Sequence, residues 1–231
     1  DVYKRQGWLG KENVAPRVIL TEGGSMTDIY VYNQLTKDNN GNIKVDQNGN
    51  LGITSSNTPV KVGNLDADFN LGWTNHFTYK GIDLGVVLSA RVGGLAYSAT
   101  QGILDYYGVS ETSATARDNG GIPINNGKVN AQKYYQTIGT GEGGYGRYYL
   151  YSATNVRLQE LSLNYTLPKR WFKNVANVTL GIVGRNLWMI YCKAPFDPEL
   201  SASTSSNYYM NVDYFMQPSL RNFGFNVKVQ F

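Results

Sequence analysis

The sequence predicts an all-β chain whose antiparallel strands form part of a transmembrane barrel. The first indication is the end of the chain, where every odd position from Phe223 to Phe231 is apolar and the even positions between them are polar or small. Successive side chains of a strand point to opposite faces, so this segment has one apolar and one polar face.

Composition and the absence of a long apolar run supply the other two indications. Gly (26 residues) and Tyr (18 residues) are abundant, and charged residues make up only 16% of the chain, against roughly 25% in an average soluble protein. No run of about 18 apolar residues occurs in the 231 residues, which excludes a transmembrane helix. A closed barrel is then the structure that could cross a bilayer. A soluble sheet would also show alternation, and it stays open as an alternative.

Composition also excludes several classes of function. The formal charge of +4 is spread along the chain, whereas nucleic-acid binding usually needs a local basic stripe. The single Cys192 cannot form an internal disulfide, and one His cannot build a usual zinc site. Because the chain begins with Asp1 and shows no signal peptide, we expect a fragment of a longer envelope protein. Residues 1–6 resemble a translated cloning or sequencing scar.

The first third of the chain contains short strand-like runs and a polar stretch. We expect at least one strand before residue 36, from the apolar runs at 18–20 and 29–32. Residues 36–65 are rich in Asn and Gly and predict a long loop. Its two Asp/Asn-rich segments, 38–42 and 46–50, suggest either a calcium loop or two Asn-Gly turns. The Glu that closes an EF-hand loop is missing, which favours the turns.

Residues 69–92 predict the clearest hairpin. The odd positions of 69–79, with Asn75 as the exception, and the even positions of 82–92 are apolar. A two-residue turn at Lys80-Gly81 makes Tyr79 and Ile82 a facing pair, so both apolar sets lie on one side of the sheet, which we expect to face lipid. His76 belongs to the polar set and is interpreted as a water-facing residue.

Residues 93–153 have little periodicity and predict a long connection with one short helical turn near 98–107. The glycine run at 139–147 lacks the Lys and Ser/Thr of a phosphate-binding loop. Three tyrosine pairs lie in this stretch, at 106–107, 134–135 and 148–149. They could stack on sugar rings, but packing of the loop on itself is the favoured interpretation.

The last third predicts a second hairpin and a closing strand. The apolar phase changes between Leu158 and Leu161, which predicts a β-bulge near 159–160. Aromatic residues near the strand ends are candidates for interfacial belts: Trp171, Trp188 and Tyr191. The apolar face of the closing strand is a candidate signal for barrel insertion: Phe223, Phe225, Val227, Val229 and Phe231. The complete set of expected strands, besides the one before residue 36, is 69–79, 82–93, 155–167, 176–190 and 219–231.

Connection lengths alternate along the expected strands. The turns after 79 and 167 are short, whereas the connections at 36–65, 93–153 and 193–218 are long. Short turns at one end and long loops at the other are typical of outer-membrane barrels, with the short turns in the periplasm.

Several motifs, taken together and in order, resemble the C-terminal region of the SusC/RagA family of TonB-linked outer-membrane proteins. They are NVRLQELSLNYTLP (155–168), GRNLW (184–188), FDPE (196–199) and QPSLR (217–221), preceded by VGN (62–64), YKG (79–81) and LDYYG (104–108). The resemblance covers most of residues 20–231. It implies that residues 1–231 are the C-terminal part of a 22-stranded barrel domain whose N-terminal plug is absent from this chain.

The resemblance also implies partners and a function. The partners are the plug and the remaining strands of the same protein, a SusD-like surface lipoprotein, the periplasmic TonB complex, outer-membrane lipid and a glycan or peptide substrate. The implied function is energised nutrient import across the outer membrane, with no cofactor. A passive porin or adhesin barrel is the alternative within the membrane class. A soluble carbohydrate-binding or hydrolytic domain is the alternative outside it, although the residues contain no nucleophile, base or metal constellation typical of an enzyme.

Overall fold

The structure, a computed structural model, describes residues 3–4, 16–139, 146–200 and 211–230. The strands are β1 Tyr3–Lys4, β2 Arg17–Leu20, β3 Asp28–Leu35, β4 Ile53–Asn64, β5 Phe69–Tyr79, β6 Ile82–Val92, β7 Leu95–Ser98, β8 Ile122–Ile124, β9 Gly127–Val129, β10 Leu150–Ser152, β11 Asn155–Thr166, β12 Asn177–Cys192, β13 Val212–Asp213 and β14 Asn222–Gln230. The helices are α1 Ala99–Tyr106, α2 Glu111–Asp118 and α3 Ala131–Ile138, with 3₁₀ turns at Gly146–Tyr149 and Lys169–Phe172.

The chain divides into two compact units. The core unit comprises Asp1–Asp66, Gly94–Ser152 and Pro198–Met216, and the sheet unit comprises Ala67–Gly93, Ala153–Asp197 and Gln217–Phe231. None of the helices among the described residues is long and apolar enough to cross a membrane.

The sheet unit is an antiparallel meander of five strands in the order β14-β12-β11-β6-β5. Tyr79 pairs with Ile82 as predicted. Lys80 and Gly81 both have positive φ, +47° and +86°, which is the signature of a type I′ hairpin turn. The predicted hairpin and its register are therefore confirmed.

The core unit has an apolar interior, and its described strands form three sheets. Strands β1 to β4 form one sheet in sequence order, β10, β7 and β13 form a second, and β8 and β9 form a short hairpin. The core includes Ile29, Leu65, Tyr97, Ile138 and Val212, all 4% exposed or less. The apolar side chains of this core pack against one another within the unit.

The expectation of an all-β chain is wrong for residues 99–138, where three eight-residue helices form. Each helix begins after a polar residue whose side chain accepts a hydrogen bond from a first-turn backbone N–H: Ser98, Ser110 and Asn130. Such caps satisfy amides that have no partner within the helix. The predicted helical turn near 98–107 is confirmed as α1, whereas α2 and α3 were not predicted.

The expected loop at 36–65 is also wrong in its second half, because β4 occupies Ile53–Asn64 and pairs with β3. In its first half the two predicted turns form. Asp38 Oδ1 accepts from the backbone N–H groups of Asn40 and Asn42, at 2.8 and 2.9 Å, and Asp46 repeats the arrangement. Hydrogen bonds from Asn42 hold the pKa of Asp38 below its usual range. The interpretation as turns is confirmed.

The tyrosine pairs of the core unit mainly pack inside it, as favoured from the sequence. Tyr134, Tyr135 and Tyr149 are buried, and Tyr134 meets Tyr135 edge to face with ring centroids 5.2 Å apart. Tyr107 and Tyr148 are exposed. Most of the glycine run, 140–145, lies outside the described residues, as do most of residues 1–6.

Candidate membrane-facing surface

One face of the five-stranded sheet is apolar from edge to edge except at Asn75, which pairs with Val86. A single row across the sheet consists of Phe77, Leu84, Leu163, Ile182 and Phe225, each directly opposite the next. Residues directly opposite each other on neighbouring strands point to the same face. The alternation predicted separately for each strand therefore falls into one shared phase.

This apolar face is exposed. The exposed apolar side chains of the five strands are Phe69, Leu71, Trp73, Phe77, Tyr79, Ile82, Leu161, Leu163, Tyr165, Ile182, Trp188, Ile190, Tyr191, Phe223, Phe225, Val227 and Val229. Within the described part of the sheet unit, Ala153 is the only apolar residue that is buried in a core. A contiguous exposed apolar surface of this extent marks a region that contacts lipid or another protein.

The opposite face of the sheet carries mostly polar or small residues, with Val87, Val183 and Met189 as exceptions. A row on this face runs Thr74, Val87, Glu160, Arg185 and Asn222. Arg185 Nε donates to Glu160 Oε2 at 2.8 Å, and both side chains are accessible to solvent. The polar face must be in contact with water or polar groups, because its charged side chains require water or charged partners. The apolar face has no such requirement.

Also on the polar face, His76 lies 3.4 Å from Asp83, and its side chain is 63% exposed. This position agrees with the interpretation of His76 as a water-facing residue. Among the residues that the structure describes, no group of three or more His, Cys, Asp and Glu side chains could hold a metal ion.

Two irregularities keep the apolar phase continuous. In β11 the register shifts between Leu158 and Glu160, which confirms the predicted bulge. In β12 a second shift leaves Ile190 between the paired residues Met189 and Tyr191. This second bulge was not predicted, and it brings Trp188 and Tyr191 to the same face although they are three residues apart.

The residues singled out as belt and closing-strand candidates lie at the surface. Trp171, Trp188 and Tyr191 are all exposed. Trp171 lies in the 3₁₀ turn between β11 and β12, and the other two lie towards the far end of β12. The closing-strand candidates Phe223, Phe225, Val227 and Val229 are exposed on β14. Phe231 lies outside the described residues.

The chain is similar in sequence to the TonB-dependent receptor P3 of Formosa agariphila. The two are 26% identical over 201 residues, which cover 84% of this chain and 19% of the receptor. The chain therefore spans about a fifth of the length of this relative. No protein-family profile matches the chain.

The fold is similar to part of a chain in solved structures of RagAB. The closed-closed state of the RagAB peptide importer matches with a TM-score of 0.55 and 17% identity over 88% of this chain and 23% of that chain. The structure of the RagAB peptide transporter matches with a TM-score of 0.55 and 16% identity, over 88% of this chain and 23% of that chain. The open-open state of the importer matches with a TM-score of 0.53 and 17% identity, over 89% of this chain and 23% of that chain. This likeness shows the fold: the chain is mostly antiparallel β-structure of the kind found in part of RagAB.

Proposed function

We propose that the sheet unit is a section of the barrel wall of a TonB-dependent outer-membrane transporter of the SusC/RagA type. The observation that carries this proposal is the exposed apolar face, which continues in register over all five strands. A soluble protein would cover such a face with a second layer. Lipid covers it in a barrel, where the polar face lines the lumen.

The strand lengths fit a bilayer. β5 and β6 have 11 residues each and β11 has 12, against about 9–11 for a tilted transmembrane strand. From Asn177 to Trp188 the chain advances 11 residues, about 36 Å of strand. A tilt of about 45° converts this into about 26 Å along the membrane normal, close to the height of the apolar band. Trp171 and Trp188 then belong to opposite aromatic belts.

The connections support an orientation. Those at 80–81 and 167–176 are short and those at 93–154 and 193–221 are long, and the two kinds alternate along the meander. Long loops face the exterior in bacterial barrels. In the proposed orientation the short turns are periplasmic, and Phe223 to Phe231 form the apolar face of the closing strand that promotes insertion.

We further propose a barrel domain, partners and a transport role for the complete protein. Residues 1–231 are the C-terminal part of its 22-stranded barrel domain, and the plug and other strands lie elsewhere in the protein. It imports glycans or peptides with a SusD-like lipoprotein and is energised by the TonB complex. The peptide importer RagAB is the structural neighbour that favours import. A passive porin or adhesin remains the alternative within the membrane class.

The proposal predicts how the complete protein leaves the membrane. In cell envelopes it is expected to stay with the outer membrane during carbonate and high-salt washes and to need detergent for release, because the sheet is held by apolar contact with lipid. Immunodetection in each fraction makes the measurement. Release by carbonate alone would contradict a barrel and favour the soluble alternative.

A second measurement separates an active transporter from a porin. Growth of the source bacterium on glycan or peptide mixtures that require the complete protein is expected to stop when the TonB complex is inactivated. Growth that needs the protein but survives loss of TonB would favour the passive barrel.

A further inference from the structure

Four of the sequence motifs that are far apart along the chain meet in one hydrogen-bonded network. The network consists of Asn155, Arg157, Asn186, Asp197 and Ser219, all within the sheet unit. Asn155 and Arg157 belong to the segment 155–168. The other three residues belong, in order, to the segments 184–188, 196–199 and 217–221. None of them lies on the apolar face used in the proposed function. We call this set the Asp197 network.

At the centre of the network is a buried ion pair. Arg157 Nη2 donates to Asp197 Oδ1 at 2.8 Å and Nη1 donates to Oδ2 at 3.4 Å. The side chains are only 5% and 8% exposed. Arg157 Nε also donates to Asn155 Oδ1 at 3.3 Å, and Asn155 is fully buried. Removal of one partner of such a pair leaves a buried charge without compensation, which is costly.

The network joins both ends of the long connection between β12 and β14. Asp197 follows β12 by five residues, and its Oδ2 accepts from Ser219 Oγ at 2.6 Å. Ser219 precedes β14 by three residues and also accepts from Asn186 Nδ2 at 2.8 Å. Asn186 Nδ2 further reaches the Leu220 carbonyl at 3.3 Å.

Asn186 has an unusual backbone that serves this contact. Its φ is +53°, in the left-handed region that Asn tolerates better than most residues. It lies where the ladder between β11 and β12 shifts register, since Arg185 pairs with Glu160 and Trp188 with Leu158. The irregularity turns the Asn186 amide towards the residues that precede β14.

These contacts lie where the pairing of β12 with β14 begins, so they can determine the register of β14. The ladder between β12 and β14 begins at the pair Arg185 and Asn222, next to Asn186 and three residues after Ser219. β14 lies at the edge of the meander and has β12 as its one neighbour among the described strands. A slip of one residue would turn Phe223 and Phe225 to the polar face.

We propose that the Asp197 network is a latch that sets the register of β14: it fixes Ser219 and Leu220 against β12, so that pairing starts at Asn222 in the phase that exposes the phenylalanines. Asp197, Arg157 and Ser219 are thus positioning residues for the closing strand. The proposal rests on contacts inside the sheet unit and holds whichever substrate is carried.

The test is amide hydrogen exchange, followed by mass spectrometry, on the complete protein in detergent. Asp197→Asn is expected to speed exchange in residues 219–226 by at least about tenfold, because it removes the charge that holds both Arg157 and Ser219. Exchange in the hairpin 69–92 is expected to change by less than about twofold. Glu160→Gln is the matched control: it breaks an ion pair on the same polar face, with an Arg side chain that is 65% exposed. It is expected to change exchange by less than about twofold throughout.

Two further variants extend the test, and the first of them keeps it decisive if Asp197→Asn yields no folded protein. Ser219→Ala removes one hydroxyl and is expected to speed exchange in the same residues, by less than Asp197→Asn does. Arg157→Gln combined with Asp197→Asn is expected to be no worse than the more severe single variant, because the two act as a unit. Unchanged exchange at 219–226 in Ser219→Ala, or an equal rise in 69–92, would overturn the proposal.

Discussion

Val86→Arg is expected to destabilise the membrane-inserted protein by about 2–4 kcal/mol. Val86 lies near the middle of β6 and pairs with Leu161 of β11 on the apolar face. A guanidinium there must leave water for hydrocarbon near the bilayer midplane, where an arginine is most costly. The measurement is the folded fraction of the complete protein in lipid vesicles over a urea titration, read from its electrophoretic mobility without heating.

The adjacent residue provides a control of the same type. Val87 lies on the polar face, between Thr74 and Glu160, so Val87→Arg meets water and a carboxylate. Val87→Arg is expected to destabilise the membrane-inserted protein by less than about 1 kcal/mol. Equal costs for the two variants, or a greater cost at Val87, would contradict the assignment of faces. Gly85 is a poorer control, because a Cβ atom at that position would overlap the Ser162 hydroxyl.

Asp105→Ala is expected to destabilise the helical part of the core unit by about 2–6 kcal/mol. The Asp105 carboxylate is 2% exposed and accepts four hydrogen bonds, from Gln101 Nε2 (2.9 Å), Ser110 Oγ (2.5 Å), Thr112 Oγ1 (3.0 Å) and Tyr149 OH (3.0 Å). Ser110 and Tyr149 are themselves buried. Each buried donor left without an acceptor costs about 1–3 kcal/mol, which gives the expected range.

The Tyr149 hydroxyl is held in its donating form. Burial, together with the nearby Asp105 charge, raises the pKa of Tyr149 far above its usual value. The phenol therefore stays protonated and donates to the carboxylate in alkaline as well as neutral solution.

Native-state proteolysis measures the effect of Asp105→Ala. Thermolysin cleavage within 99–118 of the complete protein is expected to accelerate, because cleavage follows the population of the opened segment. Asp118→Ala is the control, since Asp118 lies exposed at the end of α2. The same acceleration in both variants would show that Asp105 does not organise these helices.

The strands of the sheet unit were predictable because their signal is local. In β5 and β6 the period-two alternation and the Lys80-Gly81 turn determine the register together, and the observed pairs follow. The bulge near Glu160 was predictable for the same reason, because a change of apolar phase is visible in the sequence itself.

The elements that were missed have weaker local signals. β4 contains Thr, Ser and Asn with few apolar residues, so its pairing with β3 overrode a polar composition. α2 and α3 are each eight residues long, which is too short for a clear period of 3.6. Their caps, Ser110 and Asn130, were the available signals.

The Asp197 network was beyond prediction for a different reason. Arg157 and Asp197 are 40 residues apart, and Asn186 and Ser219 are 33 apart. No periodicity relates residues at such separations. Each motif could be recognised on its own, but their convergence depends on the register of β11, β12 and β14.

Scanning the depth and exposure of single side chains in lipid is the most direct test of the barrel wall. Nitroxide labels at residues 83 to 89 of the complete protein in vesicles would report collision with oxygen, which concentrates in lipid, and with a water-soluble nickel chelate. We expect a period of two: labels at 84, 86 and 88 collide mainly with oxygen, and labels at 83, 87 and 89 mainly with nickel. Uniform collision with nickel at all positions would contradict the assignment of this sheet to a membrane-spanning barrel.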